Sequence, residues 1–223
     1  MEKKLSLGVL VSGSGSNLQS IIDHIEQDRL NAAIAVVISN NPHAYALTRA
    51  EKHHIPTAVI THETFSSREE FDRAIADTLD AYAVDLAVMA GFMRILSPHI
   101  LNRFPQRIMN IHPALLPSFP GLHGQRQALE YGARFSGCTV HFVDAGIDSG
   151  PIIIQAVVPV LETDTEDTLS ARILREEHRI YPQAIQWYAE GRIQVHNRQV
   201  KIIAGGIPDT DGHHNPPLTM TSL

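Results

Sequence analysis

The sequence predicts a doubly wound α/β fold, a mostly parallel sheet flanked by helices, with an antiparallel addition toward the C-terminus. Three observations carry this. Strand-length apolar runs alternate with segments of helical periodicity through the first half of the chain. The earliest run ends in a glycine-bearing turn that leads directly into a helix. Later, Cys138 to Val143 and Ile152 to Val158 follow one another with only a loop between them.

Leu5 to Ser12 is near-continuously apolar, as expected of a strand buried on both faces. Beyond Gly13-Ser14-Gly15-Ser16, residues Leu18, Ile21, Ile22 and Ile25 recur at helical spacing, with Ser16 or Asn17 placed to cap the helix. Ala33 to Ser39 reads as a strand, Ala44 to His53 as a short helix and Thr57 to Ile60 as a strand. Ser67 and Glu70 form a capping-box pattern, and Phe71, Ile75 and Leu79 repeat along one helical face behind it. Leu86 to Ala90 returns to strand. Ser97-Pro98 opens a helix that ends before Pro105, and Arg107 to His112 is the next strand.

The texture then changes to a Pro/Gly-rich loop, Pro113 to Gly124, long enough to suggest a role beyond connection. A helix around Arg126 to Tyr131 ends at Gly132. The two later strands are joined by Asp144 to Pro151. A long helix from about Thr165 to Glu190, interrupted near Pro182, stops at Gly191, and Val195 to Ile203 folds as a hairpin turning at Asn197-Arg198. The expected organisation is a single domain over 1–203, with halves meeting near residue 105, followed by a poorly ordered tail over 204–223.

Composition excludes several classes of function. With 43% hydrophobic and 19% charged residues, the 223-residue chain can bury a core and fold alone. A net charge of -6 gives no overall attraction to nucleic acid or to an anionic membrane surface. No stretch approaches the roughly 20 apolar residues of a spanning helix, and no secretory pattern opens the chain, so a cytoplasmic protein is expected. Cys138 stands alone in an apolar run and reads as core. The 13 histidines, His53-His54 and His213-His214 included, lack zinc-site company, so no metal is expected. A monomer and a homodimer are both compatible with the sequence.

Three segments carry chemistry. In Gly13-Ser14-Gly15-Ser16-Asn17, glycines permit close approach of an anion, while free amides, the helix dipole and two hydroxyls offer donors to a phosphate. A tight turn without a ligand explains this segment equally well. In Asn110-Ile111-His112-Pro113, strand alternation puts Asn110 and His112 on one face at a strand's carboxyl end, where open α/β sheets bind ligands. Asp144-Ala145-Gly146-Ile147-Asp148-Ser149-Gly150 is an acidic loop whose simplest explanation is a turn. Brought beside His112, however, Asp148 would orient the imidazole for acid/base work.

Together with Gly91-Phe92-Met93-Arg94-Ile95-Leu96-Ser97 and His112-Pro113-Ala114-Leu115-Leu116-Pro117, these segments resemble the folate-dependent formyltransferases, in order from about Leu5 to Gly191. The resemblance implies a Rossmann-like formyltransferase fold. It also implies transfer of the formyl group of 10-formyltetrahydrofolate to the amine of glycinamide ribonucleotide in purine biosynthesis, without a metal. By the same resemblance, Gly15, Ser16 and Asn17 hold the substrate's phosphate, and Leu174, Arg175, Glu176 and Glu177 approach its remainder. Arg68, Met93, Arg94, Ile95, Leu96, Asn110, Asp144, Ala145, Gly146, Ile147 and Asp148 line the folate site. Asn110, His112 and Asp148 correspond to the catalytic trio, in which the amide and a protonated imidazole stabilise a tetrahedral intermediate while the aspartate assists.

Two positions depart from the family pattern: Ala114, where serine is frequent, and Ser118, where a basic residue occurs. Competing expectations are a formyltetrahydrofolate deformylase, with its extra N-terminal domain, and a methionyl-tRNA formyltransferase, with its extra C-terminal domain. A nucleotide-binding module without catalysis is a further alternative. A nicotinamide dehydrogenase would want an acidic ribose ligand where Ser39-Asn40-Asn41 stands.

Overall fold

The computed structural model describes residues 3–203 and 214–216. The chain divides after Asn110 into two compact units. In the first, β1 (Leu5–Val11), α1 (Ser16–Glu26), β2 (Ala32–Ser39), α2 (Tyr45–Lys52) and β3 (Thr57–Val59) are followed by α3 (Arg68–Ala81), β4 (Leu86–Met89) and α4 (Pro98–Arg103). The chain leaves this unit along β5 (Ile108–His112). The strands run parallel in the order β3-β2-β1-β4-β5. Leu7 to Val11 and all of β4 are buried, as the near-continuous apolar runs require of central parallel strands.

Of the helices in this unit only α3 starts on a side-chain cap, and two of the helix starts depart from what the sequence suggests. The residue preceding α1 is Gly15, left-handed at φ 71°, and no side chain caps the helix, so neither Ser16 nor Asn17 plays the part the sequence suggested. Ser16 is already the first helical residue. A Cβ built on Gly15 would lie 2.6 Å from Ala46 Cβ, so the turn depends on glycine both for its backbone and for the approach of α2. At α3, the Ser67 hydroxyl accepts from the Glu70 N–H at 3.1 Å, but the Glu70 carboxylate bonds the Ser66 N–H and hydroxyl instead of closing the box on Ser67.

In the second unit α5 (Gly124–Tyr131) ends on left-handed Gly132, and β6 (Phe135–Phe142) pairs antiparallel with β7 (Ile152–Pro159). After α6 (Glu166–Ala189), β8 (Ile193–His196) and β9 (Gln199–Ile202) form a hairpin around Asn197-Arg198, with Asn197 at φ 56°. The last strand among the described residues, β10 (His214–Asn215), pairs antiparallel with β7, whereas 204–213 and 217–223 of the expected tail lie outside the described residues.

The helix α6 runs through Pro182 without interruption, contrary to the expected break. A proline inside a helix costs about 3 kcal/mol. Around it, however, Ile180, Tyr181, Ala184, Ile185 and Trp187 are fully buried, and burial of each large apolar side chain contributes roughly 1.5–3 kcal/mol. Packing therefore outweighs the local penalty.

Gly15→Ala is expected to lower stability by about 1–3 kcal/mol, from left-handed backbone strain and the clash with α2. Ser16→Ala should stay within about 0.5 kcal/mol, because its hydroxyl caps nothing. Urea denaturation of the two variants checks this, and equal losses would contradict it.

Candidate active site

The strand β5 ends in Asn110-Ile111-His112, with Asn110 half-buried and His112 only 4% exposed. The loop that follows turns back on the imidazole, leaving the Phe119 carbonyl 2.8 Å from Nε2. On the other side of the ring, Nδ1 lies 3.2 Å from Asp148 Oδ2. That same oxygen accepts the Gly121 N–H at 2.8 Å. Both ring nitrogens of His112 thus face oxygen acceptors, and only a ring protonated on both can donate to both at once.

Asp148 sits in the turn between β6 and β7 at φ 48°, a left-handed conformation that aspartate tolerates better than most residues. Asp144 shapes this turn, its Oδ1 accepting from the Gly146 N–H at 3.1 Å and the Ser149 hydroxyl at 2.6 Å. Between them Ala145, Gly146 and Ile147 are exposed.

His141 on β6 is a member of this cluster that sequence reasoning missed. Its Nε2 lies 3.7 Å from Asp148 Oδ1, and its Nδ1 lies 2.9 Å from the Phe142 carbonyl. Burial, the largest influence, holds its pKa below the ordinary 6.5, against the upward pull of the Phe142 carbonyl and Asp148. A register irregularity between Val140 and His141 re-aims the strand there. No residue-type pattern announces such a bulge.

In the first unit, the turn after β1 has two successive carbonyls fastened to α2: Gly13 accepts the Ala46 N–H at 3.1 Å, and Ser14 accepts Arg49 Nε at 2.9 Å. Gly15 and Asn17 are buried and Ser16 half-buried at the head of α1. The segment after β4 lies beside this turn, because the Ser12 N–H donates to the Gly91 carbonyl at 3.1 Å. The Ser12 hydroxyl accepts the Met93 N–H at 2.9 Å and donates to Asn40 Oδ1 at 2.6 Å. Met93 and Ile95 are 64% and 51% exposed and Leu96 is buried, so this segment presents apolar surface outward. Arg94 is half-buried, and Arg68 is exposed at the start of α3.

On α6, Leu174 is half-buried, Arg175 exposed and Glu177 buried, while Glu176 pairs with Arg179 at 3.2 Å. Cys138 is buried, and burial pushes its thiol well above the ordinary range. Among the described residues, no group of three or more His, Cys, Asp or Glu side chains is arranged to hold a metal ion, and no helix is long and apolar enough to cross a membrane.

A parallel α/β unit followed by a buried histidine–aspartate pair is a frame that many enzymes share. The comparisons narrow it: residues 6–185 match the formyl transferase family. The chain is 44% identical to the phosphoribosylglycinamide formyltransferase of Escherichia coli (strain K12), over 96% of this chain and 97% of that protein. It is 46% identical to the human trifunctional purine biosynthetic protein adenosine-3, over 87% of this chain but 19% of that protein. The crystal structure of glycinamide ribonucleotide transformylase 1 from Symbiobacterium toebii matches with a TM-score of 0.90 and 51% identity, covering 92% of this chain and 96% of that one. A formyltetrahydrofolate deformylase from Pseudomonas syringae matches with a TM-score of 0.83 and 27% identity, over 91% of this chain and 67% of that one. The chain belongs to the formyl transferase family, and its high-identity relatives include transferase enzymes.

The lowered pKa of His141 makes a pH prediction. The unfolded chain binds the proton more tightly, so this contribution to stability is complete above pH 6.5 and is lost as pH falls toward the depressed folded value. His24 on α1, also lowered chiefly by burial, acts in the same direction. Urea midpoints should therefore fall between about pH 7.5 and about pH 5.5, and fall less in His141→Gln. An undiminished drop in that variant would contradict the assignment.

Proposed function

We propose that this chain transfers the formyl group of 10-formyltetrahydrofolate to the primary amine of glycinamide ribonucleotide, a step of purine biosynthesis in the cytoplasm. The observation that carries the proposal is the His112 ring held between the Asp148 carboxylate and the Phe119 carbonyl, in a chain 44% identical to a phosphoribosylglycinamide formyltransferase.

The amine nitrogen attacks the formyl carbon, a carbon–nitrogen bond forms, and negative charge develops on the formyl oxygen. Asn110 donates to that oxygen through its amide. His112 donates through Nε2, the formyl oxygen taking over the bond that the Phe119 carbonyl accepts in this structure. Asp148 holds the ring from Nδ1, so the donor is oriented before substrate arrives. The intermediate collapses by breaking the bond between the formyl carbon and the folate nitrogen. The proton released by the attacking amine passes to that nitrogen, with Asp148 relaying it through water. No group changes oxidation state.

The binding assignments follow the family resemblance, and local chemistry supports two of them. Outward amides at the head of α1 suit a phosphate on Gly15, Ser16 and Asn17, and Leu174, Arg175, Glu176 and Glu177 take the rest of that substrate. The exposed apolar side chains of Met93 and Ile95 suit a flat ring system. Arg68, Arg94, Leu96, Asn110 and the turn Asp144-Ala145-Gly146-Ile147-Asp148 complete the donor site.

Ultraviolet absorbance as 10-formyltetrahydrofolate is consumed tests the proposal. Consumption should require glycinamide ribonucleotide, and equal consumption without it would make the chain a deformylase instead. In single-turnover measurements His112→Ala should be slower by about 100- to 1000-fold. A near-normal rate would remove His112 from the chemistry.

A further inference from the structure

Asp72 interrupts the apolar stripe of α3, at helical spacing from Ile75, Ala76 and Leu79, and has no exposed surface. A carboxylate in such a place loses its hydration, which costs several kcal/mol unless directed bonds replace the lost water. Burial accordingly raises its pKa, opposed by bonding to Ser97. An apolar residue would complete the stripe without that penalty. The carboxylate instead supplies a directed contact: Oδ2 accepts the Ser97 N–H.

Ser97 is the residue before α4, and its own side chain makes no capping bond. Asp72 therefore anchors the start of α4 from another helix, with its negative charge at the positive end of a six-residue helix that has little stability of its own. Ser97 also directly follows Leu96. The segment that exposes Met93 and Ile95 is thus fastened at both ends, by the Ser12 hydroxyl on the Met93 N–H and by the Asp72 carboxylate on the Ser97 N–H. Backbone held at two points keeps its side chains in one arrangement, so less ordering entropy remains to be lost when a ligand docks on them.

We propose that Asp72 is a positioning residue for the formyl donor: through Ser97 it fixes the apolar face of Met93 and Ile95 on which the donor's ring system docks. Asp72 touches no ligand itself. The proposal rests on the donor-site assignment of the preceding section and goes beyond it by naming what holds that site in shape.

The test compares Asp72→Asn and Asp72→Ala in the full chain, with both substrates varied. Asparagine keeps an oxygen that can accept the Ser97 N–H, so its KM for 10-formyltetrahydrofolate should stay within about threefold of the parent protein's. Asp72→Ala should raise that KM by about tenfold or more, with the KM for glycinamide ribonucleotide nearly unchanged. Asp72→Leu, closer in shape to aspartate, replaces alanine if that variant does not fold.

Three results would overturn the proposal: an unmoved donor KM in a folded Asp72→Ala or Asp72→Leu protein, a rise in both KM values alike, or loss of folding in both apolar variants while Asp72→Asn folds and works. The last would make the role purely structural. If the unsubstituted protein shows no amine-dependent consumption of the donor, the functional reading fails, whereas normal transfer with an unmoved donor KM sinks this proposal alone.

Discussion

The second unit is organised around one contact, His112 Nδ1 against Asp148 Oδ2 at 3.2 Å. Both groups are largely withdrawn from water, and each polar group taken into such a site is costly unless it is bonded. Here the requirement is met by sharing. Asp148 Oδ2 accepts from Gly121 as well as facing His112, and the far side of the ring meets the Phe119 carbonyl. The loop after β5 is thereby tied at two points to the pair it covers. The antiparallel register of β6 and β7 places the aspartate: the Phe142 N–H donates to the Pro151 carbonyl at 2.9 Å, closing the turn that holds Asp148.

The first unit obeys a topological constraint of a different kind. The strand β1 lies between β2 and β4, all parallel, so the segments leaving β1 and β4 emerge side by side at the same ends of their strands. The bond from Ser12 to Gly91 joins them directly. The turn after β1 and the segment presenting Met93 and Ile95 are therefore neighbours because of strand order. The bonds from α2 to the Gly13 and Ser14 carbonyls hold this turn in place.

Much of this was legible in the residues. Apolar runs located the parallel strands, and the spacing of Phe71, Ile75 and Leu79 located α3, because burial imposes those periods directly. The same-face placement of Asn110 and His112 follows from strand alternation alone. Where local rules failed, a longer-range term prevailed: close packing of α2 against Gly15 replaced a side-chain cap, and a buried surround carried α6 through Pro182. The partners of the histidine were hidden for another reason. The Phe119 carbonyl and the Gly121 N–H are backbone groups with no side-chain signature, and His141 reaches Asp148 through a strand irregularity. Asp72 did leave a mark, as a charge at helical spacing from Ile75 and Leu79, and a polar residue inside an apolar stripe asks for a bonding partner.

Whether His112 and Asp148 act as one unit is read from the single-turnover rate of the doubly substituted protein, His112→Ala with Asp148→Asn, set beside the two single variants. Residues that work only through each other lose their effect together, so the double variant should be no slower than the slower single one within about threefold. If the two losses multiply instead, the aspartate and the histidine contribute separately and do not form a unit.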